Sequence, residues 1–458
     1  MTAISGTGGI AANDAVPART ASARMMAYFG YGAGSFGACA ALFPTGSLIL
    51  YFLTDTIGLS VALATIAISV PKIWDILFDP AIGAIADRQS REKGNRFGVF
   101  VLAAFGLPAM AASSFVVAWS PSVVTTICVT LLLIGVSTTY TIYWVTHLAA
   151  ANDLEQAGLG NRNRLLVARM IGQSGGGLLA GALAPLLLSM TTGFGRYAIM
   201  AGTLAIIGVV AMLVCALLLK YTRTPPEESA TEKLNFFVAC RAAMVRPRAL
   251  GLILSNFMVM MACTFMGSVL PFVNKYVLGL GDAYMSYLFT ALMGAQVAGA
   301  ATGAWVAERF GLSRGFMLSS IGMLLAGLAM YPAASSLIAL AIALIGWGGA
   351  TGAYTVLLHS SMLEASKGRI AGVVGSTGLL LGLLFATGKI GDTAGSLITA
   401  WSLSAAGGVK SFSGSVSAVH TFQLWFGIAP SLLMLAAIIL TIVADRFTAP
   451  ASAVKSAS

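Results

Sequence analysis

Lys72-Ile73-Trp74-Asp75-Ile76-Leu77-Phe78-Asp79-Pro80 sets one base and two acids inside an otherwise apolar run. Steps of three and four residues put Lys72, Asp75 and Asp79 on one face of a helix, and two further steps of four reach Gly83 and Asp87. An ionisable side chain at membrane depth costs several kcal/mol, roughly 2.5–3.5 even on the lenient insertion scale. The three groups are therefore expected to face an interior, a partner or an ion rather than lipid.

The surrounding chain makes a membrane setting inescapable. Of its 458 residues, 58% are hydrophobic and only 9% charged, and the mean hydropathy is +0.88. Ordinary soluble domains carry about 25% charge. Apolar runs long enough to cross a bilayer occur twelve times, over about 26–53, 60–86, 97–119, 122–150, 165–190, 197–219, 249–273, 283–307, 314–334, 336–358, 370–402 and 418–444.

A net charge of +10 is compatible with nucleic-acid binding, but its distribution argues against that. With both termini cytoplasmic, the tails and the loops on that side hold 20 of the 26 Lys and Arg residues, and the opposite loops hold Arg196, Lys275 and Lys410. This is the positive-inside pattern. The other three, Lys72, Arg169 and Lys389, fall within spans, as do Asp75, Asp79 and Asp392. The five cysteines are scattered without the spacing of a disulfide framework or a zinc site.

The longest polar interruption, Tyr221 to Leu250, divides the spans six and six. The organisation expected is a tail over 1–25, a six-helix half over 26–220, a linker over 221–248, a second half over 249–445 and a tail over 446–458. Within the linker, 233–245 mixes apolar and basic residues in a way that suits a short surface helix, and a plain connector fits almost as well. An internal repeat supports the division: Gly83-Ala84-Ile85-Ala86-Asp87-Arg88 after the second span is echoed by Gly303-Ala304-Trp305-Val306-Ala307-Glu308-Arg309 after the eighth.

That repeat resembles the signature of the major facilitator superfamily, whose halves are related by an axis along the membrane normal. The resemblance implies an all-α membrane protein of twelve transmembrane helices in two six-helix halves. It also implies that Asp87, Arg88, Glu308 and Arg309 gate the cytoplasmic side. The stretch from Lys72 to Pro80, with Thr54-Asp55, Thr139-Tyr140-Thr141-Ile142, Arg169 and Lys389, resembles one branch of that superfamily, the glycoside-pentoside-hexuronide:cation symporters.

The resemblance implies that Asp75 and Asp79 form the coupling-cation site, with Thr141 as a neighbouring oxygen ligand, and that Tyr140, Arg169 and Lys389 belong to the solute site. Elementary chemistry agrees: two carboxylates one turn apart suit Na+, a hard cation that prefers oxygen. They suit H+ equally, because neighbouring carboxylates resist double ionisation. The sequence chooses between the two ions no further, and no cofactor beyond the ion is implied. The competing reading is a structural cluster in which Lys72 and Lys389 neutralise the acids permanently.

The chain departs from the sugar transporters at the solute site. Counted from the flanking motifs, positions that bear polar sugar ligands in that branch fall on Cys39, Trp144, Leu384 and Phe385. Sugar hydroxyls left without partners in a buried pocket are costly. The expectation is a cation-coupled symporter of a small, amphipathic or partly apolar solute, monomeric, in a bacterial inner membrane. A glycoside symporter and an uncoupled transporter or exporter are the alternatives. Tyr140, Trp144 and His147 share one helix face and are candidate cavity residues. No His pair, serine elbow or phosphate loop points to an enzyme.

Overall fold

A computed structural model describes residues 20–117, 120–190, 192–193, 195–220, 247–365, 376–408, 412 and 415–448. The expected linker helix over 233–245 lies outside the described residues. Twelve long helices span the described chain: α1 Ala21–Thr56, α2 Val61–Glu92, α3 Phe97–Val116, α4 Val123–Gln156, α5 Arg162–Met190, α6 Gly195–Leu219, α7 Pro247–Val277, α8 Asp282–Phe310, α9 Leu312–Ala333, α10 Leu337–Ala365, α11 Ser376–Ala405 and α12 Val416–Thr448.

Each helix covers one expected apolar run, since lipid leaves no partner for backbone groups except the helix's own ladder. The ends overshoot those runs where a polar turn continues the helix, as at Gln89–Glu92 of α2 and Asn152–Gln156 of α4. Among the described residues, nine helices are long and apolar enough to cross a membrane by composition alone. The other three are α2, α8 and α11, and α2 and α11 hold mid-span ionisable groups.

Packing repeats with a shift of six helices. In the first half α1 packs on α5 and α6, α2 on α4, and α3 on α4 and α6. In the second, α7 packs on α11 and α12, α8 on α10, and α9 on α10 and α12. The halves meet chiefly along α2 with α11 and α5 with α8, two contacts that exchange under the same shift. Local irregularity repeats as well: α1 and α7 each close with a π-turn, Phe52–Thr56 and Val273–Val277.

Small residues let backbones approach within each half. A Cβ built at Gly172 of α5 would collide with the carbonyl oxygen of Gly32 on α1, and one at Gly391 of α11 with that of Phe257 on α7. Gly172 thus brings α5 against the α1 backbone. Gly375 lies outside the described residues, as do the side-chain surroundings of positions 378 and 382.

Candidate functional site

The α2/α11 contact carries the buried charges. Asp75 is 14% exposed, and its Oδ2 lies 3.9 Å from Nζ of Lys389 on α11. Its Oδ1 is buried with no hydrogen-bond partner among the described residues. The Ser137 hydroxyl of α4 lies close to the same carboxylate. The Trp74 indole N–H donates to Thr138 Oγ1 at 3.2 Å, so α2 meets α4 along the Ser137/Thr138 edge. Thr141 is buried on α4, one turn beyond Ser137 and on the same face. Asp79 follows Asp75 by one turn of α2; its side chain lies outside the described residues.

Lys72 reaches across the halves. Its ammonium donates to the Asp392 carbonyl oxygen at 2.8 Å and to Ser396 Oγ at 2.6 Å. The Asp392 carboxylate accepts from Thr264 of α7 at 2.7 Å. The three-residue spacing of Lys389 and Asp392 allows an ion pair within α11, but Lys389 turns to Asp75 and Asp392 takes the Thr264 hydroxyl. A carboxylate on a neighbouring helix competes well with one on the same helix when both halves are needed to bury it.

Arg169 lies elsewhere. It is 9% exposed on α5, its guanidinium carbon sits 3.8 Å from the Trp144 ring centroid, and Nε and Nη2 have no hydrogen-bond partner among the described residues. A cation–π contact contributes about 0.5–2 kcal/mol, whereas removing an ion from water costs several. Trp144 alone does not compensate the burial. With Cys39, Tyr140, Tyr143, Trp144 and Gln173, Arg169 lines a cavity of about 30 Å³. That is about the share of one water molecule and far below the roughly 300–1,000 Å³ of ordinary small-molecule pockets, so the site is contracted.

Of the expected solute residues, Cys39, Tyr140, Trp144 and Arg169 thus share one cavity. Phe385 of α11 stands edge-on to Trp144 at 6.2 Å but is not among the residues lining the cavity. Lys389 joins Asp75 instead. His147 departs from the cavity reading: its Nε2 faces the Tyr31 carbonyl at 2.9 Å and its ring stacks on Tyr31 at 4.1 Å. A buried imidazole is held where both ring nitrogens find partners, and Tyr143 Oη lies 3.4 Å from Nδ1.

At the end of the bundle where α1 closes and α8 begins, the halves are tied by ion pairs. Lys275 of α7 lies 2.7 Å from Asp55 of α1, which also accepts from Tyr276. Arg196 of α6 lies 2.5 Å from Asp282 of α8. Sequence reasoning missed this set, although Arg196 and Lys275 were already conspicuous as rare bases in the loops of that side. Glu308 and Arg309 are exposed at the opposite end of α8, and the side chains of Asp87 and Arg88 lie outside the described residues.

Comparison with known proteins bears on the family and the fold. Residues 30–445 match a family model described as MFS/sugar transport protein. The uncharacterized symporter YnaJ of Bacillus subtilis is 31% identical over 175 residues, 37% of each chain. An uncharacterized symporter of Synechocystis sp. is 39% identical over 66 residues, 14% of this chain and 12% of that one. The chain thus matches well under two thirds of the length of either relative.

Among solved structures, the nucleoside transporter NupG superposes with a TM-score of 0.66 at 13% identity, covering 93% of this chain and 98% of that one. A bacterial homolog of the human lysosomal transporter Spinster, inward-facing and unoccupied, gives 0.64 at 17%, covering 94% and 97%. At such identities the likeness concerns the fold.

Proposed function

The chain belongs to the MFS/sugar transport protein family, and from that premise we propose that it is a cation-coupled symporter of a small organic solute, working by alternating access. The observation that carries the reading is Asp75: a carboxylate between the halves, with one oxygen unpartnered among the described residues and its lysine at the 3.9 Å limit of an ion pair. A permanently neutralised structural pair would close both oxygens, because a half-satisfied buried carboxylate is costly. In this proposal Na+ or H+ occupies Asp75 and Asp79, with Ser137 and Thr141 as nearby oxygens. Filling the site raises affinity for solute in the Trp144 cavity, and the solute raises cation affinity by the same factor.

The cavity favours an amphipathic or partly apolar solute over a sugar. Ser35, Gln173 and two tyrosines are its neutral hydrogen-bonding residues, set among Ala38, Cys39, Leu42 and Trp144. The test is uptake into proteoliposomes holding the full chain under an imposed Na+ gradient, an imposed H+ gradient or neither. Accumulation should follow one of the two cations, and Asp75→Asn should reduce it to equilibration. Wild-type accumulation by Asp75→Asn, or accumulation indifferent to both gradients, would sink the proposal. Competition by glycosides against lysolipids and aromatic acids tests the solute class, and strong saturable glycoside uptake would overturn the amphipathic assignment.

A further inference from the structure

We propose that the cavity at Arg169 is a halide site, in which one chloride ion sits against the guanidinium as its counter-ion while the cavity is contracted. The inference goes beyond the symport reading and stands independently of it, since halide binding is measured with no solute and no ion gradient.

Arg169 is 9% exposed on α5. Nε and Nη2, the two nitrogens of one guanidinium edge, are buried with no hydrogen-bond partner among the described residues. Their N–H groups run parallel, so a single acceptor can take both. No acidic residue lines the cavity among the described residues. The Trp144 face, 3.8 Å away, offsets only part of the cost of burying the charge. The described acids of α2 and α11, Asp75 and Asp392, stand with two bases, Lys72 and Lys389, and leave no described negative charge over for Arg169.

The remaining lining suits a small anion. Ser35 accepts from Tyr143 at 3.2 Å and keeps its own hydroxyl proton to donate, and Tyr140 and Gln173 bring a further O–H and an amide. Ala38 and Leu42 supply apolar wall. Such a wall leaves the outer oxygens of an oxyanion without partners, which is costly, whereas a halide has no such oxygens. Size narrows the occupant further. The cavity of about 30 Å³ has room for one water-sized body, which admits chloride and turns away sulfate, phosphate or a carboxylate on an organic body. A water molecule would supply hydrogen bonds and no charge; a halide supplies both. A solute entering the widened cavity then has to expel the halide, so chloride favours the contracted form.

The experiment uses the purified full chain, exchanged into sodium gluconate and titrated with sodium chloride, bromide or sulfate at constant Na+. Chloride and bromide should raise the thermal midpoint by about 2 °C or more along a saturating curve. Sulfate should give only the gradual, unsaturating rise of an excluded salt. Arg169→Gln should remove the saturating response and Arg169→Lys should keep part of it. Crystals of the wild-type protein soaked in bromide give a readout that needs no variant: an anomalous peak should lie against Nε and Nη2.

Equal midpoints in chloride and gluconate would mean that water alone fills the cavity, and would overturn the inference. A saturating response that survives in Arg169→Gln would place the halide elsewhere and overturn it too. So would a saturating response to sulfate equal to that of chloride, or bromide-soaked crystals with no peak in the cavity.

Discussion

At the scale of single residues, Lys389 and Lys72 have the same charge and different work. Lys389 faces Asp75 at 3.9 Å, the carboxylate proposed to hold the cation, and so competes with that cation. Replacing it with glutamine should tighten the cation dependence of binding by about fivefold or more, since unit charges 4 Å apart interact by roughly 1 kcal/mol even in bulk water. Weaker cation binding by Lys389→Gln would show the lysine to be a support rather than a rival. Lys72 binds a carbonyl and a hydroxyl on α11. Lys72→Met should therefore lower the thermal midpoint by several degrees, through two lost inter-half bonds, and shift the cation midpoint less than Lys389→Gln does.

Much of this was legible in the sequence. Asp75, Lys389 and Arg169 announce themselves because a charge in an apolar run has few benign explanations. Partner choice was not legible: Lys72 and Asp392 are 320 residues apart, and helical spacing reports only which side chains share a helix face. Ser137 and Thr264 were invisible because a hydroxyl in a span can satisfy itself on its own helix, as Thr399 does at Gly395.

At the scale of helices, the α1/α5 crossing is the most exacting contact. Gly172→Val should prevent that approach and lower expression and thermal midpoint sharply, because its Cβ meets backbone of α1 that has no room to give. Gly202→Val on α6 is the control, as a Cβ there meets nothing within 4 Å. Equal damage from both would refute the crossing as the cause. The two inter-half contacts also differ despite their shared origin. The buried charges lie at α2/α11, while its mate α5/α8 packs Gly181 against Phe289 and bonds Ser286 to the Ala182 carbonyl. One contact buries charge and the other small and apolar groups.

Across the whole molecule, the pairs Asp55–Lys275 and Arg196–Asp282 hold one end of the two halves together. Breaking a partly buried pair at a cost of about 1–2 kcal/mol changes a two-state ratio by roughly 5- to 30-fold. Asp55→Asn should accordingly speed modification of Cys39, which lines the cavity, by an impermeant maleimide added on that face. Peptide mass spectrometry would locate the label. An unchanged rate would remove these pairs from the gate. The periodicity that revealed twelve spans gave no hint of this clasp, because its four charges sit at helix ends, where solvated groups are the ordinary expectation.

The clasp also gives the carrier a sense of side. Lys275 is 42% exposed while Asp55 is 3% exposed, so dissolved ions reach one partner from a single compartment. The Debye length is about 10 Å at 0.1 M, and a partly buried pair is screened much less than an exposed one, so ordinary salt in that compartment leaves the fastening intact.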